Sequence, residues 1–384
     1  MDTLNVGERS FDLSRVPSAG KRPLRAWDAA DEYVLDHVEA GDAQAKPKTI
    51  AVIGDAFGAL SCGLDGHELF VFNESAAGRE AIHENRARND LGPIELHSVL
   101  DLAVLEGRAL DAVVIKVPKS NAELEDALHR LRPHLTPDTE IIGAAMAKHI
   151  HTSTLELFER IVGPTTTSLA KKKARLISAT FDASLEPGAN RWPSEWKAYG
   201  RTFATHGGGF SPAKLDAGSQ LLVDYMRTEF DALALGEGLP FAVADLGCGN
   251  GVVGLAVHDH FSKLGIDNHV IAIDDSMFAV DATGHNWGSS TDVRIHHAHR
   301  LVNVCEPMSL DVVVVNPPFH DGRALGDDIA WSMFVDAHKT LRKGGRLVMV
   351  GNRHLAYHAK LKKIFGAAAN VGSSARFVLL EARR

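Results

Sequence analysis

Leu310-Asp311-Val312-Val313-Val314-Val315-Asn316-Pro317-Pro318-Phe319-His320 is an apolar run that stops at two prolines. A run without polar alternation predicts a strand buried on both faces, as in the middle of a parallel α/β sheet. Pro318 keeps Pro317 out of the helical region, and neither proline can donate a ladder hydrogen bond. Asn316 is thereby presented at the carboxyl end of a central strand, where open α/β sheets hold their ligands. An amide, the Pro317 carbonyl and the flat ring of Phe319 suit the exocyclic amino group of a planar base. The two oxygens accept its N–H groups and the ring stacks on the base. A strand followed by a proline turn with an incidental Asn would use the same residues, so partner motifs must decide.

Upstream, Asp245-Leu246-Gly247-Cys248-Gly249-Asn250-Gly251 follows the strand pattern Ala242-Val243-Ala244 and opens a helix from Val252 to His258. Glycines allow close approach of the backbone to a ligand, and the helix start offers free N–H groups. The loop lacks the third-glycine spacing of the dinucleotide fingerprint, and an aspartate leads it. Asp245 suits the amino-acid part of a ligand, directly or through water. Val270-Ile271-Ala272-Ile273-Asp274 puts Asp274 at the next strand end, where a carboxylate bonds ribose hydroxyls. With Asn316, three strand ends are expected to converge on one crevice.

The pattern occurs twice. Ile50 to Gly58, Leu69 to Ser75, Leu110 to Lys119 and Arg160 to Gly163 precede their counterparts Ala242 to Gly251, Val270 to Ser276, Leu310 to Phe319 and Lys363 to Gly366 by about 200 residues each. The 384-residue chain is therefore read as two doubly wound α/β domains, residues 1–190 and 191–384. Residues 1–46 are read as a polar lead-in followed by a helix through Trp27 and Leu35, with Trp27 in the core. Trp196 to Ala204 is read as one strand. The first copy has lost the chemistry of the second: Asp55 and Phe57 crowd its glycine turn, and Lys116-Val117-Pro118-Lys119 replaces the Asn-Pro-Pro-Phe turn. Lys116, Lys119 and Lys172, with Lys148, Lys171, Lys173 and Arg175, suggest a domain that holds RNA phosphates. A solvated charged face is the plainer alternative for the Lys171 to Lys173 run.

Lys and Arg number 41 against 49 Asp and Glu, a net charge of −8. That excludes a generally basic nucleic-acid binder but not a local basic patch. Three cysteines make no disulfide framework, the N-terminus lacks a signal pattern, and apolar runs are strand-sized, so a cytoplasmic protein without membrane spans is expected. His149, His151, His296, His297 and His299 have no cysteine pairs or carboxylates at ligand spacing, so no metal is expected.

The loop, Asp274 and the Asn-Pro-Pro-Phe turn resemble the class I S-adenosylmethionine-dependent methyltransferases. That resemblance implies two tandem class I methyltransferase-like (Rossmann-like) domains, the N-terminal one degenerate. It implies S-adenosyl-L-methionine as cofactor, contacted by Asp245, Gly247, Gly249 and Asp274, and transfer to an exocyclic amino nitrogen. Phe210-Ser211-Pro212-Ala213-Lys214-Leu215-Asp216-Ala217-Gly218-Ser219, His320 and Gly351-Asn352-Arg353-His354-Leu355 are similar to segments of the bacterial ribosomal RNA guanine-N2 methyltransferases. Ala26-Trp27-Asp28-Ala29-Ala30-Asp31-Glu32-Tyr33 and His151 to Glu159 resemble the large-subunit members. The resemblance implies large-subunit ribosomal RNA as partner, and two packed domains in one chain suggest a monomer. Asn316, Pro317 and Phe319 would be catalytic, and Phe210 and His320 would contact substrate. His297 stands where the family tends to carry Asp or Asn toward the adenine, and Pro212 where Arg is common. Small-subunit RNA, an adenine N6, a protein glutamine, and a non-catalytic ribosome-assembly role are the alternatives.

Overall fold

The computed structural model describes residues 2–17, 24–39, 46–211, 214–230, 240–318 and 322–384. The chain divides into two units, Met1–Trp192 and Pro193–Arg384. The first opens with an antiparallel hairpin, β1 (Asp2–Val6) and β2 (Arg9–Leu13), and a helix, α1 (Ala29–Glu39). It continues with β3 (Thr49–Ile53), α2 (Ala59–Gly63), β4 (Glu68–Phe72), α3 (Ala76–Arg88), β5 (Leu96–His97) and β6 (Ala112–Lys116). The unit ends with α4 (Asn121–Leu131), β7 (Glu140–Met146), α5 (Thr152–Ile161), β8 (Thr165–Thr167) and β9 (Ala174–Ala179).

The second unit opens with the hairpin β10 (Ser194–Ala198) and β11 (Arg201–Thr205), then α6 (Ala217–Thr228), β12 (Phe241–Leu246) and α7 (Val252–Lys263). There follow β13 (Asn268–Asp274), α8 (Met277–Trp287), β14 (Val293–His297), β15 (Leu310–Val315) and α9 (Gly322–Thr340). The chain closes with β16 (Leu341–Asn352), α10 (Tyr357–Phe365), β17 (Ala369–Ser373) and β18 (Phe377–Arg383).

Each unit contains a seven-stranded sheet, and the strand orders correspond: β5-β4-β3-β6-β7-β9-β8 in the first, β14-β13-β12-β15-β16-β18-β17 in the second. The first five strands of each order run parallel, and the last two positions are antiparallel additions. The order reverses between β3 and β6, and between β12 and β15, which makes the carboxyl ends of those strands the crevice of each unit. The same device pins both junctions. Asp111 Oδ2 accepts the Thr49 N–H at 2.7 Å, and Asp311 Oδ2 accepts the Ala242 N–H at 2.8 Å. The central strands are largely apolar because helices cover both faces; Val312, Val313, Val314 and Val315 are all fully buried.

Two expectations change. The lead-in is not merely polar: Leu4, Val6, Phe11 and Leu13 alternate with polar residues, so the hairpin puts one face into the core with α1. Trp27 is buried as expected, though just ahead of α1, where its Nε1 donates to Glu32 at 3.0 Å. The Trp196 to Ala204 segment is a hairpin rather than one strand. Tyr199 and Gly200 take φ of +50° and +77°, so the chain reverses at those two residues. Among the described residues, no helix is long and apolar enough to cross a membrane.

Candidate active site

The register of the second sheet sets the site. Leu246 lies beside Ile273 on one side and Val315 on the other, so Gly247, Asp274 and Asn316 emerge one step later from three adjacent strands. His297 is paired with Asp274 on β14. These expected residues are therefore brought to one edge. Gly247, Gly249 and Gly251 have φ of +78°, +58° and +78°, a left-handed run that only glycine adopts without strain. An added Cβ on Gly249 would meet nothing nearer than Phe210 Cβ at 4.0 Å, so the loop faces open space there, and Phe210 itself is half-exposed. A Cβ on Gly251 would lie 2.9 Å from Thr283 Cγ2 and 3.0 Å from Trp287 Nε1.

Both carboxylates shape the loop. Asp245 is buried, and its Oδ2 accepts the Gly254 N–H at 2.8 Å, which ties β12 to the first turn of α7. Burial pushes its carboxyl up to about 7, against the pull of that N–H. Asp274 accepts Gly249 N–H through Oδ2 at 2.9 Å and Ser276 N–H through Oδ1 at 2.8 Å. Burial holds it at about 6 despite both bonds. The loop is braced from α8 by Thr283 Oγ1, which donates to the Gly249 carbonyl at 3.1 Å, and by Asn286 Nδ2, which donates to the Asn250 carbonyl at 2.9 Å. His297 Nε2 lies 2.9 Å from the Asp275 carbonyl, so this nitrogen carries the proton and is already engaged within the chain.

Asn316 is where base chemistry was expected. Its Nδ2 donates to Ser219 Oγ at 2.9 Å and lies 3.3 Å from Asp216 Oδ2. Its Oδ1 is buried and has no hydrogen-bond partner among the described residues. An orphaned buried acceptor costs roughly 1–3 kcal/mol, so it marks a place for an incoming donor. Pro317 is buried beside it. Phe319, His320 and Pro212 lie outside the described residues. Sequence reasoning quoted Asp216 and Ser219 without giving them a role, and it missed Thr283 and Asn286. The Asp216 signal was its place at a helix start, where its Oδ2 accepts Gly218 and Ser219 N–H.

The first unit carries the same layout with different chemistry. Ile53 lies beside Phe72 and Ile115, so Gly54, Asn73 and Lys116 stand where Gly247, Asp274 and Asn316 stand. Lys116 was expected to hold RNA; the structure pairs it within its own unit. Its Nζ lies 2.8 Å from Asp31 and 2.9 Å from Asp28, with the side chain 15% exposed. Burial alone would lower its affinity for the proton, but the two carboxylates hold it above the ordinary lysine value. Asp31 is pushed up to about 6 by burial, against the pull of Lys116. Lys172 and Lys171 pair with Glu32 and Asp36 on α1, each at 2.6 Å. Lys172 is still 66% exposed, and such a surface pair is worth at most about 1 kcal/mol. Lys119 is exposed.

Comparison with known proteins follows this division. Residues 1–183 match the RLMG N-terminal domain, and residues 200–381 match the methyltransferase small domain. A Streptomyces avermitilis protein named ribosomal RNA large subunit methyltransferase G is 39% identical, over 99% of this chain and 99% of its own. A protein of the same name from Streptomyces griseus is 37% identical over 100% of this chain and 99% of its own. Among solved structures, the T. thermophilus 16S rRNA N2 G1207 methyltransferase (RsmC), in complex with AdoMet and guanosine, matches with a TM-score of 0.75 at 20% identity. That match covers 100% of this chain and 97% of the other. It shows that the tandem fold is shared.

Proposed function

The chain belongs to the family of the ribosomal RNA large subunit methyltransferases G, and from that footing we propose that it methylates the exocyclic N2 of a guanine in large-subunit ribosomal RNA. The cofactor is S-adenosyl-L-methionine, which when bound supplies an electrophilic methyl group on a sulfonium. The residues present fit it. The Gly247 to Gly251 loop leaves open space beside Gly249, Asp274 at the end of β13 holds the Gly249 N–H, and Asp245 lies beneath the loop. Asp274 holds the loop's edge and accepts ribose hydroxyls; Asp245 anchors α7 and adds negative charge under a cationic ligand.

The observation that carries the base assignment is the unpartnered Asn316 Oδ1 at the end of β15. With the Pro317 carbonyl it accepts the two N–H groups of an amino substituent. These bonds turn the nitrogen lone pair out of conjugation with the ring and toward the methyl donor. The guanine leaves its stack to reach this crevice. Phe319 stacks on the base, and Phe210 closes over the loop. Rate enhancement comes chiefly from positioning, since the nitrogen loses its proton after attack. Lys119 and Lys172 on the first unit hold RNA phosphates.

Nucleoside mass spectrometry tests this. Unmodified large- and small-subunit RNAs are incubated separately with the protein and cofactor, then digested. N2-methylguanosine only from large-subunit RNA is the expected result; methyladenosine, or product only from small-subunit RNA, overturns it. Asn316→Ala lowers kcat by about 100-fold or more, the loss typical of a removed transition-state hydrogen-bonding group. Full activity in that variant removes Asn316 from the chemistry.

A further inference from the structure

We propose that Asp216 and Ser219, at the start of α6, are positioning residues that decide which end of the Asn316 amide faces the crevice. The inference rests on the role given to Asn316 above. An Asn side chain presents either an acceptor or two donors, and a half-turn about its last bond exchanges them. At Asn316 the choice is dictated by its neighbours. A carboxylate is an acceptor only, so the group 3.3 Å from Asp216 Oδ2 is the NH2, and Ser219 Oγ accepts its other proton at 2.9 Å. The carbonyl is left facing the site, buried and unpartnered among the described residues. With the amide turned over, its oxygen would face the carboxylate. Its NH2 would then confront the N–H groups of the incoming amino substituent, and the site would repel its substrate.

Asp216 cannot easily give way. Its Oδ2 also accepts the N–H groups of Gly218 and Ser219 at 2.9 and 3.1 Å, so the first turn of α6 holds the carboxylate. Asn316 thus reads a fixed point on a rigid helix rather than a mobile surface group.

An independent observation shows that this meeting belongs to the fold. In the first unit, Asp28 stands just ahead of α1, and its Oδ1 accepts the Ala30 N–H at 2.8 Å. Asp31, three residues on, and Asp28 both reach Lys116, which ends the strand equivalent to β15. The three places are the same: helix cap, third residue beyond it, strand end. One copy fills them with two aspartates and a lysine, which pair with each other. The other fills them with Asp, Ser and Asn, a set that satisfies the NH2 and withholds a partner from the carbonyl.

Asp216→Asn separates capping from orientation, because Asn caps a helix about as well as Asp but brings an NH2 that competes for the same place. Ser219→Ala removes the other acceptor and leaves the cap intact, so it carries the test should Asp216→Asn melt early. Each is assayed for kcat on large-subunit RNA, for affinity toward S-adenosylhomocysteine by calorimetry, and for melting temperature. The expected result is a fall in kcat of about 10-fold or more, the worth of one hydrogen bond of this class, with cofactor affinity and melting unchanged. In an Asn316→Ala background neither substitution lowers kcat further, because both act through the amide. Wild-type kcat in both single variants, with Asn316→Ala impaired, overturns the positioning role and spares that of Asn316. Additional losses in the Asn316→Ala background overturn it as well. Full activity of Asn316→Ala refutes the underlying reading.

Discussion

Replacing Lys116 with Met leaves two aspartates facing each other at the mouth of the first unit. Asp31 is 9% exposed and Asp28 50% exposed, so Asp28 regains water while Asp31 does not. Removing one partner from a buried ion pair costs about 3–5 kcal/mol, and the half-exposed Asp28 brings the expectation to the lower end, about 3 kcal/mol at pH 7. For a unit of this size each kcal/mol is worth about 2–4 °C, so its transition should move down by about 6–12 °C. The loss depends on pH with a definite sign. Asp31 already titrates at about 6, above its ordinary 3.8, and losing the cation raises it further. A carboxyl raised in the folded state contributes stability below 3.8, which is lost as pH rises through its folded value. The deficit of Lys116→Met therefore grows from pH 5 to pH 7, and Asp31→Asn added to it restores most of the stability. Thermal unfolding of the full chain at both pH values measures this, alongside RNA affinity across a salt series. An unmoved transition with weaker RNA binding and a shallower salt slope would refute the argument, because it would make Lys116 a phosphate contact.

Cofactor affinity should rise with pH through the range of about 5.5–7.5, since Asp245 at about 7 and Asp274 at about 6 ionise there and a cationic, hydroxyl-bearing ligand favours the charged forms. Calorimetry with S-adenosyl-L-methionine in buffers of different ionisation enthalpy should show proton release at pH 6; a flat profile counts against both carboxylates. Gly251→Ala combines a φ of +78° with a Cβ 2.9 Å from Thr283, and should cost roughly 2–5 kcal/mol and weaken cofactor binding. Gly265→Ala is its control, because φ is +73° there but the space is open, so only about 1–2 kcal/mol of strain remains.

Much of this was legible locally. A valine run ending in Asn-Pro-Pro needs no distant partner to be read as a buried strand with a presented amide. The glycine loop and Asp274 follow the same logic, one strand at a time. The parts misread are those where distant residues meet. Lys116 looks like a free cation until Asp28 and Asp31, far upstream, are brought to it across the sheet end. Asp216 and Ser219 carry ordinary helix-start signals, and only the fold reveals that Asn316 hydrogen-bonds to Ser219. The two hairpins were readable in principle. Leu4, Val6, Phe11 and Leu13 have the alternation of a one-sided strand pair, and Tyr199-Gly200 interrupts the Trp196 segment with a turn.

The matching strand orders imply something about stoichiometry. A duplicated fold offers two crevices per chain, and two open ones would draw two equivalents of cofactor, half of them idle. The first crevice has Lys116 locked to Asp28 and Asp31, and Phe57 in its turn with the Arg15 guanidinium 4.8 Å over the ring. Titration of the chain should therefore end at one equivalent. Occupancy of that single place then reports directly on the fraction of competent enzyme.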